Sequence, residues 1–480
     1  MKRAISFLLT AATSFAALPS VGPDYAKPAA PVPAAYRDAE TSGAWKMAVP
    51  ADALARGAWW TLFGDTALNE LETRALAANQ DLRAAAARVE QARAAAGLAR
   101  SSAWPQLAVG GSVVREQSST TTENVVPDTL TTTYRAPLTA AWELDLFGRV
   151  RRLNESARAD AAASAALFES VRLSLTADVA ANYFSLRGLD REVALVRETV
   201  GLRRRSLDLV AARRAGGAAT ELDTARAETE LASAEAEAAA LANQRAALQN
   251  ALAVLVGEPA PGFALPVELT PAASPPAVPA GLPAELLERR PDIAAAERAL
   301  AAANARIGVA KAAFFPAISL TGSAGFASAD LEQLTQADSR IWSIGPSLYL
   351  PIFQGGRNQA NLARSRAAFD EAVAIFRARV LGAFRDVQDA LTATHLLAEQ
   401  SAAQERGLVA ARRAATLAQT RYAAGFVAYF EVIEAQRTAL ATERAAVQLA
   451  ARRLTNSVAL LKALGGGWQA ASAGLVVAQR

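Results

Sequence analysis

The sequence is written twice, and this repetition constrains the fold more than any other feature. In the first copy Gln80-Asp81-Leu82 opens an Ala-rich helical run that ends at Trp104-Pro105, followed by the alternating stretch Gln106 to Glu116. In the second, Pro291-Asp292-Ile293 opens a matching run that ends at Phe315-Pro316, followed by Ala317 to Ser328. A shift of about 211 residues superposes these stretches without gaps. Beyond the strands Phe147-Gly148-Arg149 matches Phe353-Gln354-Gly355-Gly356-Arg357, and Gly217 matches Gly425, now about 208 residues apart. Two equivalent halves point to a pseudo-symmetric assembly and away from a single catalytic pocket.

A length prior of about three domains gives way to the duplication, because neither half can bury its own strands. The net charge of +4, with 20% charged residues, is too balanced for a nucleic-acid binder, and no basic cluster is interleaved with aromatics. With no cysteine and one histidine, the chain has no disulfide, thiolate zinc site, cysteine nucleophile or two-histidine site. No metal, cofactor or catalytic residue is expected. The N-terminus reads as an export signal: Lys2-Arg3, an apolar run from Ala4 to about Ala17, and small residues at Ser14-Phe15-Ala16 for cleavage after Ala16. That run is too short to span a bilayer as a helix, and no later apolar stretch is long enough.

Residues from about Val21 to Pro50 are rich in Pro and Ala without periodicity and read as an extended arm. Trp59-Trp60-Thr61-Leu62-Phe63 forms an aromatic patch before a first helix expected from Leu68 to about Ser101. The next helical region runs from about Val150 to Arg214, nearly 100 Å at 1.5 Å per residue, with a counterpart from about Asn358 to Ala424. Each turns at a glycine, Gly217 or Gly425, into a returning helix of roughly 35 residues. Gly257 to Pro283 is dense in proline and reads as a linker. Small residues recur at 3–4 spacing in these helices (Leu222, Ala225, Thr229, Ala232, Ala236, Ala239, Asn243), which permits close approach but buries little per residue. So long and thin a bundle requires lateral neighbours.

The strand segments alternate. Tyr134, Ala136, Leu138, Ala140, Trp142 and Leu144 share one face; Arg135, Thr139, Glu143 and Asp145 share the other. Ile318, Leu320, Gly322, Ala324 and Phe326 alternate with Ser319, Thr321, Ser323 and Gly325, and Trp342, Ile344, Pro346, Leu348 and Leu350 with Ser343, Gly345, Ser347 and Tyr349. Four segments of about 10 residues fit a transmembrane barrel with lipid outside and a polar lumen. Aromatics stand at the helix-proximal ends (Trp104, Phe147, Phe315, Phe353) and nearer the far ends (Tyr134, Phe326, Trp342), as interfacial girdles do. A half-buried soluble sheet has the same alternation, but lacks a reason for the export signal and the aromatic placement. Four strands cannot close such a barrel, so several protomers must contribute.

Several motifs resemble one family. Glu288-Arg289-Arg290-Pro291-Asp292-Ile293, Ala303-Asn304-Ala305-Arg306-Ile307-Gly308 and Ala313-Phe314-Phe315-Pro316 are similar to the second-repeat signature of TolC-type outer-membrane efflux ducts. Trp142-Glu143-Leu144-Asp145-Leu146-Phe147-Gly148-Arg149 and Pro351-Ile352-Phe353-Gln354-Gly355-Gly356-Arg357 resemble its strand-to-helix turns, and Gly22-Pro23-Asp24-Tyr25 its NodT-like branch, the outer components of RND efflux systems. The resemblance covers nearly the whole chain after the signal. It implies an α+β membrane protein: a homotrimer with a 12-stranded transmembrane β-barrel, four strands per chain, continuous with a long α-helical periplasmic tunnel. It also implies outer-membrane lipid, a periplasmic adaptor and an inner-membrane pump as partners. The expected division is signal peptide 1–16, extended arm 17–66, first efflux-duct repeat 67–256, linker 257–284, second repeat 285–465 and tail 466–480. Members of this branch commonly carry a lipid-modified cysteine just before Gly-Pro-Asp-Tyr; this chain has Leu18-Pro19-Ser20-Val21 there, so the barrel alone must anchor it.

The resemblance places acidic residues at Glu431 and Glu434 around the narrowest point of the tunnel, in a periplasmic gate with Tyr422 and Asp223, next to the hairpin turns at Gly217 and Gly425. The two glutamates are spaced i, i+3 and share a helix face, so three protomers bring six carboxylates near one axis and favour cations. Equally, they are acids near a helix N-terminus, where the macrodipole favours them. In some relatives a basic residue bonds the acid at the Asp223 position; here Val427 stands in its place. Arg135, Glu143 and Asp145 are expected to line the barrel lumen, and His395 to be a surface or interface residue. The chain lacks a Walker-type loop, so as an exit duct it is passive. A type I secretion duct is an alternative. A trimeric coiled-coil surface scaffold without a pore is another, disfavoured by the duplicated helix–strand–strand–helix plan.

Overall fold

The computed structural model describes residues 20–29, 57–119, 130–269, 275–276 and 290–466; the signal peptide, most of the arm, much of the linker and nearly all of the tail lie outside them. The duplication is exact in helix length. Helices α2 (Gln80–Ser101) and α5 (Pro291–Ala312) have 22 residues each, α3 (Arg149–Ala215) and α6 (Arg357–Ala423) have 67, and α4 (Glu221–Leu255) and α7 (Tyr429–Ala463) have 35. Among the described residues no helix is long and apolar enough to cross a membrane.

The single helix expected from Leu68 to Ser101 is two, α1 (Thr66–Ala78) and α2. Asn79 makes the break. Its backbone turns extended, its Oδ1 accepts the Leu82 N–H at 2.9 Å, and its Nδ2 donates to the Leu255 carbonyl at 2.9 Å. The side chain thus caps one helix while tying it to another.

The chain divides into two compact units. The strand-bearing unit takes in Met1–Ala29, Arg88–Ala165 and Ala295–Arg377. Its strands are β1 (Gln106–Val109), β2 (Ser112–Gln117), β3 (Leu130–Leu144), β4 (Ala317–Ser328) and β5 (Arg340–Tyr349), all antiparallel, in the order β1-β3-β4-β5 with β2 also on β3. The sequence predicts one strand where β1 and β2 stand. Both keep a single register on β3, Val109 opposite Leu138 and Ser112 opposite Arg135. The lapse falls at Gly110-Gly111. Gly110 N–H donates to the Pro137 carbonyl at 2.9 Å, but proline has no N–H to return.

Register aligns chemistry across the sheet. Leu138, Ala324 and Trp342 lie in one row, as do Ala140, Gly322 and Ile344, and Leu107 and Val113 share that face through Ala140 and Tyr134. Val109, Trp342 and Ile344 are exposed at 82%, 77% and 69%. The other face carries a hydroxyl row: Thr139 Oγ1 donates to the Ala108 carbonyl, Ser323 meets Ser343 at 2.9 Å, and Thr321 Oγ1 donates to the Gly345 carbonyl.

In the same unit the arm explains the Gly-Pro-Asp-Tyr run. Val21 N–H donates to the Phe147 carbonyl, Asn304 Nδ2 to the Pro23 carbonyl, and Arg152 Nη2 to Asp24 Oδ1 at 2.6 Å. Gly22, at φ 111°, lies so close to Gly308 that a Cβ there would sit 2.5 Å from its Cα.

The helical unit takes in Ala30–Ala87, Ala166–Ala294 and Ala378–Arg480. Its core gathers Trp59, Trp60 and Phe63 of the aromatic patch with Leu68, Leu71, Tyr183, Leu186, Leu252 and Val458. Asp65 starts α1 by accepting Leu68 N–H at 3.0 Å and also accepts the Tyr183 hydroxyl at 2.7 Å. Glu72 lies fully buried in α1 with both carboxylate oxygens unpartnered, and desolvation pushes its pKa up to about 9.

Candidate functional site

Both long helices end the same way. After α3, Gly217 adopts φ 76° while its N–H donates to the Arg214 carbonyl and Ala218 N–H reaches back to Arg213. After α6, Gly425 adopts φ 83°, its N–H donates to the Tyr422 carbonyl, and Phe426 N–H reaches Arg421. This pair of bonds is a Schellman motif, and a residue with a Cβ would strain it. The glycines therefore reverse the chain at equivalent points.

The returning helices start differently. Thr220 caps α4 in a capping box: its hydroxyl accepts Asp223 N–H at 3.2 Å, and Asp223 Oδ2 accepts both the Thr220 N–H at 3.0 Å and its hydroxyl at 2.7 Å. These bonds from Thr220 hold the Asp223 carboxyl below its usual pKa. In α7 the cap position is Ala428, which offers no side-chain bond. Glu431 stands where Asp223 stands in the first hairpin. It is exposed, with no side-chain bond to another described residue.

Tyr422 is buried against Tyr429, ring centroids 5.4 Å apart, in a cluster with Val210, Ala227, Val432 and Ile433, and the Arg213 guanidinium lies 4.5 Å over its ring. Glu434 is exposed and pairs with Arg437 at 3.3 Å. The structure thus buries Tyr422 in the packed side of the second hairpin and leaves Glu431 and Glu434 exposed, while Asp223 is occupied within the first.

Sequence reasoning missed the groups that join these hairpins. Arg437 reaches the buried Glu230 of α4 at 2.5 Å, Glu230 also meets Arg203 of α3 at 3.4 Å, and Arg203 donates to Gln436 Oε1 at 2.8 Å. Burial lowers the pKa of Arg203, and Glu230 opposes that shift. One heptad along both helices Arg444 pairs with Glu237 and, at 2.6 Å, with the buried Glu192 of α3, which also accepts from Gln448. The signal was legible in principle: two acids and two arginines, each seven residues apart, on helices of matching length.

In the strand-bearing unit Arg135 sits on β3 opposite Ser112 and Ala327. Glu143 binds Arg149 through both oxygens, at 2.7 and 2.5 Å. Asp145 follows the end of β3 and accepts Arg151 N–H at 2.8 Å. Of the aromatics expected at the interface, Trp104 and Phe353 are exposed, while Phe147 and Phe315 stack on each other, centroids 4.9 Å apart.

The family model described as outer membrane efflux protein matches residues 71–258 and 282–466. The outer membrane protein OprJ of Pseudomonas aeruginosa is 37% identical over 468 residues, covering 97% of this chain and 96% of OprJ. The cation efflux system protein CusC of Escherichia coli is 34% identical, covering 94% of this chain and 96% of CusC. Among solved structures the outer-membrane channel OprN superposes with a TM-score of 0.85 at 33% identity, covering 94% of this chain and all of OprN, and CusC superposes with 0.81 at 32% identity, covering 93% and 100%. The fold read from the sequence, barrel strands and long helices in a duplicated efflux channel, is thereby shown, as are the outer-membrane location and the role of exit duct. The chain belongs to the outer membrane efflux protein family.

Proposed function

We propose that three copies of this chain close a 12-stranded barrel and form the passive exit duct of a tripartite pump, receiving small molecules from a periplasmic adaptor and an inner-membrane pump. The sheet carries this reading. Among the described residues it has four strand positions, one exposed apolar face, and open edges at β5 and at β1 with β2. In lipid each unpaired edge group costs several kcal/mol, so the edges must pair with those of neighbouring copies. The polar row, with Arg135, Glu143 and Asp145 near it, lines the lumen, and Trp104 and Phe353 stand at the lipid interface. The duct performs no catalysis and binds no nucleic acid. Its hairpin ends, with Glu431 and Glu434, form the periplasmic gate.

Two measurements test the assembly. Native mass in detergent should be three times that of the processed chain, and the same particles in planar bilayers should conduct. A stable monomer would refute the closed barrel, and a trimer without conductance would favour a scaffold.

A further inference from the structure

A cavity of about 740 Å³ lies at the foot of the sheet, walled by the β3–α3 turn, the α5–β4 turn and the start of α6. All three walls belong to the strand-bearing unit. Glu143, Ala317 and Tyr349 line it. Ala317 pairs with Tyr349, and Glu143 with Ser319, so these residues share the face of the hydroxyl row. The cavity therefore opens on the polar side of the sheet.

Its chemistry is two-sided. The stacked rings of Phe147 and Phe315 give it an apolar wall. Three arginines line it as well, but they are not equivalent. Arg149 is neutralised by Glu143, and the nearby Asp145 by Arg151 at 3.2 Å. Arg357 and Arg364 remain. They are exposed, stand one heptad apart on α6, and have no carboxylate partner among the described residues; Arg364 donates only to Asn361 Oδ1 at 2.9 Å. The cavity so carries uncompensated positive charge beside aromatic surface. A guanidinium binds carboxylate or sulfonate oxygens through paired N–H groups, and in a confined site it is weakly screened.

We propose that this cavity is a luminal binding site for amphipathic organic anions in transit, with the anionic group on Arg357 and Arg364 and the apolar body against Phe147 and Phe315. The inference rests on the duct reading, since only that reading makes the polar face a lumen. Three copies bring six such arginines to one short stretch of the duct, three from each position, where they raise the local concentration of anionic cargo.

The test uses the full-length channel in planar bilayers with naphthalene-1-sulfonate as probe. The wild type should show concentration-dependent block by the sulfonate and much weaker block by naphthalene-1-methanol or inorganic sulfate. The paired substitution Arg357→Gln with Arg364→Gln should raise the blocking concentration at least tenfold, while Arg357→Lys with Arg364→Lys should retain most of the block. Equal block of the wild type and the glutamine variant overturns the site. So does a wild type that the sulfonate fails to block, as when a neighbouring copy fills the cavity; this measurement decides even if the glutamine variant does not fold. Absence of any conductance in the wild type instead refutes the duct reading.

Discussion

The guanidinium of Arg437 meets the carboxylate of Glu230 at 2.5 Å, and one heptad along the same two helices Arg444 meets Glu237. The returning helix of the second repeat is thus fastened to that of the first at two levels, and each level also reaches α3, through Arg203 and through Glu192. The two fastenings differ in burial. Both acids are buried, but the Arg444 side chain is 25% exposed and that of Arg437 54%, and Glu230 keeps Arg203 as a second partner.

That difference ranks two substitutions. Arg444→Met leaves a buried carboxylate without its cation, a change that costs on the order of 3 kcal/mol. Arg437→Met removes a solvent-screened partner and should cost about 1 kcal/mol or less. Thermal dissociation of the purified channel should show the larger drop for Arg444→Met. Equal drops would mean that the Arg444 fastening is no more buried in the assembly than the Arg437 one.

Glu72 sets a pH dependence with an unusual sign. Its folded-state pKa of about 9 lies above the ordinary value of 4.5, so the folded chain holds a proton that the unfolded chain releases. The stability it contributes is present below about pH 4.5, falls as pH rises, and is fully lost above about 9. At pH 7 the cost is about 3 kcal/mol relative to a neutral isostere. Glu72→Gln should therefore raise the melting temperature at pH 8, with the gap closing toward pH 4.5. A gap independent of pH would show that the buried carboxyl is not protonated.

At the proposed gate the two glutamates should not contribute equally. Glu434 is drawn to Arg437, whereas Glu431 has no such partner. Replacing both by Ala should lower cation selectivity and weaken block by divalent or trivalent cations, and Glu431→Ala alone should account for most of the loss. Glu228, exposed on α4, and Glu221, 3.5 Å from Arg214, serve as comparators whose Ala variants should change selectivity little. Unchanged selectivity in the double variant would reduce both glutamates to helix-end residues.

Much of this was legible because it is periodic. Helix lengths, the glycine turns and the face alternation of β3, β4 and β5 all follow from spacing, and a repeat doubles each signal. What escaped is set by single atoms. Pro137 interrupts the first strand through its partner's ladder, and Asn79 splits a helix with a side chain that no apolar period records. The pairing of Phe147 with Phe315 required the turns to be placed in three dimensions, since each alone resembles an interfacial aromatic. The unpaired Glu72 was invisible for the same reason: a glutamate in an Ala-rich helix reads as solvated until its neighbours are known.

The missing cap of the second hairpin allows a gain-of-bond experiment. Ala428 and Glu431 occupy the N-cap and N3 positions of α7, the places that Thr220 and Asp223 fill in α4. Ala428→Thr creates a Thr-x-x-Glu capping box, in which the new hydroxyl shares the Glu431 N–H, already bonded to the Ala428 carbonyl at 3.1 Å, and the Glu431 carboxylate turns back to the cap N–H. Such a cap stabilises a helix start by about 1 kcal/mol. It should slow amide exchange in the first turn of α7 and, if Glu431 acts at the proposed gate, it should also engage the carboxylate that attracts cations there. Cation block should then weaken toward that of Glu431→Ala although no charge has been removed. The reverse change, Thr220→Ala, should speed exchange at the start of α4 and leave cation block as it was. If Ala428→Thr slows exchange while block by cations stays at the wild-type level, the Glu431 carboxylate does not act at the constriction.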